Sequence, residues 1–472
     1  MGAFGFVQIC NARAPHPNPL PQKGERVEEA VYSSPVTQDR SILKIALVAL
    51  AGTSIEWFDF FLYGTASALV FPTLFFPKEL PPLVGLLASF STNAVGFIAR
   101  PVGGILFGHF GDRHGRKRAL VTALTLMGVA TTLIGCLPSY ETAGVAAPVM
   151  LVLLRFAQGL AVGGQWGGAM LLVTESAPKG RRGYYGSFAQ AGAPAGVVLA
   201  NVAFLLVSAS VSQQAFMSWG WRLPFLASVL IIGLALYVQL RLEDTAAYRQ
   251  LIAERGEEAR GKRRSPVLEA LRSYPKQIAL AAGAFVAIQI MFYILITFVV
   301  AYGANEAVLG LPRDMMLSAV LVGTALMLPT TLIAAAISDR YGRRGIYMAG
   351  AVLACIWSFV LFPLVETRSF LWITVAIAVG QTAVAMMYGP QAAFFAELFS
   401  TRMRYSAASL GYQIGSIFGG AFAPLIATAL FARFRSSFAI SLYMAFACVV
   451  TFLSVFTLEE THRRDLEDAS RP

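Results

Sequence analysis

GHFGDRHGRKR, residues 108–118, is a charged cluster that closes one long apolar run and opens the next. It recurs as ISDRYGRR at 337–344, again between apolar runs, and Asp112 and Asp339 are 227 positions apart. A second pair of segments, ESAPKGRRGYYGS at 175–187 and ELFSTRMRYSAAS at 397–409, aligns Glu175 with Glu397 and Arg182 with Arg404 at an offset of 222. Two different motifs repeating at nearly one spacing mark a duplicated architecture, so the chain reads as two related halves.

Composition says what the halves are made of. Of the 472 residues, 56% are hydrophobic and 13% charged, whereas a soluble domain carries about 25% charge. The mean hydropathy is +0.63. A soluble enzyme or a nucleic-acid binder does not fit these values. Scanning for runs of about 20 apolar residues, the length that crosses roughly 30 Å of hydrocarbon, gives twelve spans. They lie at 44–75, 83–108, 119–138, 146–173, 187–210, 219–241, 277–302, 315–337, 345–365, 370–394, 405–432 and 437–458. The fold expected is an all-α integral membrane protein: a bundle of six helices at 44–241, a loop at 242–276, and a second six-helix bundle at 277–458.

The net charge of +11 is explained by topology. Basic residues crowd the connections after even-numbered spans: Arg113, Arg116, Lys117 and Arg118; Lys179, Arg181 and Arg182; nine cations from Arg241 to Lys276; Arg340, Arg343 and Arg344; Arg402 and Arg404. The opposite connections hold scattered cations such as Lys78, Arg313 and Arg368. The positive-inside rule then puts both termini in the cytoplasm of a multi-pass protein of the cytoplasmic (inner) membrane. Residues 1–43, rich in proline and polar groups without a continuous apolar stretch, read as a disordered cytoplasmic tail and not as a secretory signal, or as sequence upstream of a later translation start. Residues 459–472 read as a cytoplasmic C-terminal tail. Cys10, Cys136, Cys355 and Cys448 stand alone, with no disulfide framework and no metal-ligand spacing.

Ionisable residues in mid-span are expensive and point to function. The carboxylates there are Glu56 and Asp59, and the arginines are Arg100 and Arg155; all four lie in the first half. Residues three, four and seven apart share a helix face, so Thr53, Glu56, Asp59 and Tyr63 form one stripe. Asn93 with Arg100 forms a second, and Arg155, Gln158 and Gln165 a third. Three such stripes predict one polar cavity. A buried carboxylate holds or releases its proton according to whether a cation sits beside it, and no histidine lies in mid-membrane, so Glu56 and Asp59 are the candidate proton carriers. The plainer alternative is a structural salt bridge between these carboxylates and Arg100 or Arg155. The second half offers Gln289 with Tyr293, Gln381 with Tyr388, and Tyr412 with Gln413, either as helix-to-helix hydrogen bonding or as a substrate wall. Trp166 either lines the cavity or fills an interface. The runs GLAVGGQWGG (159–168), GAPAG (192–196) and GSIFGGAFAP (415–424) permit close helix approach. In the loop motif, Asp112 can pair with cations or a helix N-terminus on a neighbouring loop, for example near Arg182, as a latch; plain positive-inside anchoring is the other reading. The repeated positions Glu175, Arg182, Asp339, Arg340, Glu397 and Arg404 belong to the same gate.

GHFGDRHGRKR resembles the loop signature of the major facilitator superfamily, and ISDRYGRR its degenerate second copy, with Ala335 where the pattern begins with Gly. GTSIEWFDFFLYG (52–64), RPVGGILFGHFGDRHGRK (100–117), GGQWGGAMLLVTESAP (164–178), WGWRLPFLAS (219–228) and RMRYSAASLGYQIGSIFGGAFAPLIAT (402–428) resemble the metabolite:proton symporter branch, over about residues 44–460. That branch includes permeases for shikimate, α-ketoglutarate, citrate and proline or betaine. The resemblance implies two pseudo-symmetric six-helix bundles (the major facilitator fold) that rock around a midplane site. It also implies Glu56 and Asp59 as coupling carboxylates, Arg100 and Arg155 as anion-binding or charge-pairing groups, and Asp112, Arg113, Gly115 and Arg116 as the cytoplasmic gate. Gln165 departs from the Glu usual in GGEWGG, which bears on stoichiometry or specificity. The segment EETHRRDLEDASRP lacks heptad patterning, so coiled-coil osmosensing is not expected.

The expectation is therefore proton-coupled uptake of a small carboxylate metabolite, an organic acid, by a monomer in the lipid bilayer. The proton is the coupling ion, and no cofactor, metal, nucleic acid or enzymatic activity is expected. The alternatives are symport of a zwitterionic osmolyte such as proline or betaine, a drug:proton antiporter, and a non-transporting sensor or membrane enzyme. The last lacks any nucleophile, base and orienter set.

Overall fold

The structure is a computed structural model that describes residues 35–114, 116–163, 166–230, 233, 266–400 and 403–462. Met1–Ser41 is a unit of its own, in which 35–41 are helical; Ile42–Pro472 is the other. The described chain is helical throughout, without strands. Its first main helices are α1 (Ile42–Leu69), α2 (Pro82–His114), α3 (Arg116–Cys136), α4 (Ala146–Gly163), α5 (Trp166–Ser176) and α6 (Arg182–Ser210). After the central segment come α7 (Pro275–Ala304), α8 (Arg313–Tyr341), α9 (Arg343–Glu366), α10 (Phe370–Leu398), α11 (Arg404–Ser416, carried on to Phe434) and α12 (Ser437–Thr457).

Ten of these helices are long and apolar enough to cross a membrane. α3 is the shorter apolar case, and the expected sixth span, 219–241, is described as helix at 222–230 and 233. α4 and α5 together occupy the expected fourth span. Helix limits agree with the apolar runs to within a few residues, because turns at proline and glycine set the ends: Pro82 and Pro275 open helices, and Gly342, with φ of 102°, separates α8 from α9. The loop expected at 242–276 is described from Pro266, which begins a short helix, Pro266–Ser273.

Large apolar side chains such as Ile105, Leu206, Phe418 and Phe446 are two-thirds exposed on the outside of the bundle. That much exposed apolar surface is unsustainable in water and fits hydrocarbon as the solvent. Inside, α7 is the most buried span. The helices on either side of the central segment meet most extensively where α6 packs on α8 and α10, and α2 on α11. Both α7 and α11 are interrupted by a π-helical turn, Ile294–Phe298 and Ile417–Ala421. Such turns redirect side chains and are frequent at functional sites. Glycine makes the second turn possible: a side chain at Gly419 would press on Gln289 of α7, and one at Gly420 on Phe97 of α2 and Tyr293 of α7.

Candidate functional site

Glycines on α2 and α4 bring two buried arginines into the first half. A Cβ at Gly159 would overlap the Gly96 carbonyl, and one at Gly163 the Arg100 carbonyl, so the two helices touch backbone to backbone. The Arg155 guanidinium lies across the space that Gly96 leaves open; a Cβ there would stand 2.6 Å from Arg155 Nε.

Arg155 is fully buried and held by neutral partners. Its Nη2 donates to Asn93 Oδ1 at 2.5 Å and its Nη1 to Gln158 Oε1 at 3.0 Å. Gln158 Nε2 donates in turn to Thr131 Oγ1 at 2.7 Å. The guanidinium faces the rings of Phe60 and Tyr63 at 3.9 and 4.1 Å, a cation–π arrangement. The Tyr63 hydroxyl donates to Thr92 Oγ1 at 2.5 Å. Asp59, 1% exposed, lies beside the Thr131 and Ser228 hydroxyls, and its Oδ1 has no hydrogen-bond partner among the described residues. Tyr63, Asn93, Arg155 and Gln158 thus form one network inside the first half, with Asp59 at its edge.

The central cavity is a separate place. Trp57 and Phe61 of α1, Ala193 of α6, Gln289, Phe292 and Tyr293 of α7, Tyr388 of α10 and Tyr412 of α11 line it closely. Aromatic contacts join the two halves here: Phe97 meets Tyr293 edge-on at 5.2 Å, and Phe61 meets Phe292 at 5.7 Å. Arg100 lies beside Tyr293 and is 1% exposed. Its guanidinium packs over Phe97 at 4.3 Å, Phe60 at 4.4 Å and Trp57 at 5.3 Å, while Nε and Nη2 have no hydrogen-bond partner among the described residues. Those two N–H groups share one edge of the guanidinium, the edge that matches the two oxygens of a carboxylate. Glu56 is partly exposed on the same α1, within reach of the charge on Arg100 and of Tyr412.

Neither Arg100 nor Arg155 forms an ion pair with Glu56 or Asp59: Arg155 bonds neutral Asn93 and Gln158, and Arg100 packs on aromatic faces. Gln289 Nε2 donates to Ser416 Oγ at 3.0 Å and Gln381 Nε2 to Thr324 Oγ1 at 3.4 Å. Gln381 and Gln413 do not line the cavity, whereas Tyr412 does. Gln165 lies outside the described residues, as do the side chains of Trp166, Asp112, Arg113 and Arg116, and Gly115 as a whole.

At the end of the bundle that carries the basic loops, Asp339 caps the N-terminus of α6: its Oδ1 and Oδ2 accept the Gly183 and Tyr184 backbone N–H groups, both at 2.8 Å. A carboxylate at a helix N-terminus meets the positive end of the helix dipole. Arg343 Nη1 donates to Asp339 at 2.6 Å, and its Nη2 pairs with Glu397 at 3.1 Å. Arg404 Nη1 pairs with Glu175 across the halves at 3.2 Å. Arg182 stands at the start of α6 near Arg404, and Arg340 is exposed. The segment after α12 closes the network: Thr461 Oγ1 donates to Glu397 at 2.7 Å, and Glu460 accepts the Arg343 and Arg344 backbone N–H groups at 2.8 and 3.0 Å, capping α9. Burial pushes the Glu460 carboxyl up, but the backbone N–H groups of Arg343, Arg344, His462 and Thr461 outweigh it and hold it below the usual range.

Sequence reasoning missed Arg343 as the hub, although it is the copy of Arg116 at the 227-residue offset. It also missed Glu460 and Thr461, whose partners lie more than sixty residues away. Gln190, whose Nε2 reaches Gln391 Oε1 across the halves at 3.0 Å, was hidden among the small residues of α6.

The relatives of this helical bundle are transporters and not enzymes. The sequence pattern of the Major Facilitator Superfamily matches residues 52–419, and the chain belongs to that family, among its metabolite permeases. It is 39% identical to the shikimate transporter of Escherichia coli K12, over 89% of this chain and 95% of that protein. It is 37% identical to the inner membrane metabolite transport protein YhjE of the same strain (90% and 95% covered) and 30% identical to its proline/betaine transporter (92% and 87%). Among solved structures, the proton:xylose symporter XylE bound to 6-bromo-6-deoxy-D-glucose superposes with a TM-score of 0.70 at 19% identity, covering 92% of this chain and 99% of that one. That likeness concerns the fold.

Proposed function

We propose that the protein is a proton-driven importer of a small monocarboxylate, working by alternating access across the cytoplasmic membrane with its basic loops inside. The observation that carries this reading is the guanidinium edge of Arg100, buried beside the cavity-lining Tyr293, with Nε and Nη2 unpartnered among the described residues. A buried donor pair without an acceptor costs free energy, and a substrate carboxylate supplies both acceptors in one bidentate contact. Asn93 and Gln158 take both terminal nitrogens of Arg155 and leave its Nε alone without a partner among the described residues, so the paired donor edge is that of Arg100, and one carboxylate matches it. Gln289, Tyr293, Tyr388 and Tyr412 offer hydrogen bonds to the rest of the molecule, and the rings of Trp57, Phe61 and Phe292 offer it flat apolar surface.

Two carboxylates remain for the proton. Glu56 sits where it senses both Arg100 and the second half, and Asp59 has a carboxyl oxygen without a partner among the described residues. In this account binding of the acid at Arg100 changes the charge that Glu56 experiences, and Asp59 exchanges its proton as the halves rock. Asp339 and Arg343 hold the cytoplasmic side closed meanwhile. The aromatic lining also favours a second substrate, a betaine-type zwitterion, whose carboxylate would meet Arg100 and whose ammonium would meet the ring faces. A pH-sensitive dye trapped in proteoliposomes tests coupling: adding a transported acid outside acidifies the lumen in the native protein, and an unchanged lumen during measured uptake would contradict it.

A further inference from the structure

The two halves are clasped at both ends of one helix pair. On α6, Gly183 and Tyr184 meet Asp339 at the basic end; twenty-five residues further on, Ser208 meets Arg313 and Asp314 at the other end. On α8, Asp314 and Asp339 are likewise twenty-five residues apart. At 1.5 Å per residue each separation is about 37 Å, more than the roughly 30 Å hydrocarbon layer. The two contacts therefore lie on opposite faces of the membrane.

The far contact is built from both halves. Ser208 Oγ donates to Asp314 Oδ1 at 2.6 Å and accepts from Arg313 Nη2 at 3.1 Å. The Arg313 guanidinium lies 3.9 Å from the centre of the Phe216 ring, and its Nη1 lies 3.9 Å from Met217 Sδ, in the segment that follows α6. Its side chain is 12% exposed although it stands on the first residue of a surface-reaching helix. A helix N-terminus repels a cation, and the cation-poor far end has no general use for one. Beside the charge of Asp314, 3.9 Å from its Nε, what holds Arg313 there is its contact with the first half.

We propose that Arg313, Asp314, Ser208 and Phe216 form the outer gate, the counterpart of the Asp339 latch. It must break for substrate to enter and re-form before the inner latch opens. This assignment rests on the alternating-access reading and goes beyond it by naming the residues that close the far side. Arg313→Ala removes the cation–π contact and the bond to Ser208; Ser208→Ala removes the shared hydroxyl and leaves the helices packed. Loss of one charge-assisted hydrogen bond shifts the open-to-closed ratio at the far end about tenfold or more.

The test is pulsed electron–electron distance measurement on the full chain in nanodiscs, with the four native cysteines replaced. Spin labels go on the exposed positions Gln213 and Glu306 at the far end, and on His109 and Gly345 at the basic end. Arg313→Ala and Ser208→Ala are expected to move the far-end distribution to longer distances and leave the basic-end pair unchanged, while Asp339→Asn does the reverse. Far-end distributions unchanged in both variants, or both pairs widening together, would overturn the outer gate. Should Arg313→Ala not fold, Ser208→Ala alone decides. The readout needs no substrate, so a wrong monocarboxylate assignment would leave the distances untouched.

Discussion

Arg100→Lys preserves the charge at the cavity and removes its geometry. In the structure the Arg100 guanidinium packs against the rings of Phe60 and Phe97, with Nε and Nη2 presented along one edge. A lysine ammonium is a point donor and reaches one carboxylate oxygen where the fork reaches two. The loss is one charge-assisted hydrogen bond, about 1.5–3 kcal/mol, which corresponds to roughly 10- to 150-fold weaker binding. Loss of stacking on the two rings adds to this. Trp57 lines the cavity, so quenching of tryptophan fluorescence by the transported acid gives Kd for both proteins, and inhibition of labelled uptake gives an independent value. An affinity within about twofold of the native protein would refute direct bidentate contact and return Arg100 to a packing role.

Further outcomes follow from other parts of the molecule. Asp59→Asn is expected to abolish gradient-driven accumulation while leaving exchange of internal for external substrate; counterflow measurements check this, and intact accumulation would remove Asp59 from coupling. Gly163→Ala places a methyl group against the Arg100 backbone, an overpacking cost of about 1–3 kcal/mol, to be read as a lower unfolding temperature in detergent together with weakened binding. Glu460→Gln tests the C-terminal clamp through pH. Because the folded carboxyl is held below its ordinary value of 4.5, its stabilisation is complete above that value and is lost as pH falls through the lower folded value. The variant is thus expected to melt earlier than the native protein at pH 7, with the gap closing in acid; a gap independent of pH would contradict the capping role.

The spans could be read from sequence because they depend on local signals: apolar run length and turn residues at helix ends. The partition of the buried polar residues could not. Stripes on α1, α2 and α4 correctly group Arg155 with Gln158, yet helix geometry alone does not reveal that Asn93 and Tyr63 turn toward Arg155 while Arg100 turns toward Tyr293. That division arises where the glycine seam sets the crossing of α2 and α4. Likewise Tyr412 and Gln413 are adjacent, and a step of about 100° around the helix decides which one meets the cavity. Ser208 and Arg313 are 105 positions apart, and only the packing of α6 on α8 brings them together.

The central claim is that a proton gradient drives an acid inward through the Arg100 site. Its most direct test is uptake into proteoliposomes of labelled shikimate, α-ketoglutarate, citrate, a simple monocarboxylate, proline and betaine, with and without an imposed inward proton gradient. The account predicts that one monocarboxylate accumulates above its external concentration only when the gradient is present, and that Arg100→Lys impairs this. Uptake that only equilibrates, or accumulation indifferent to the gradient, would contradict it.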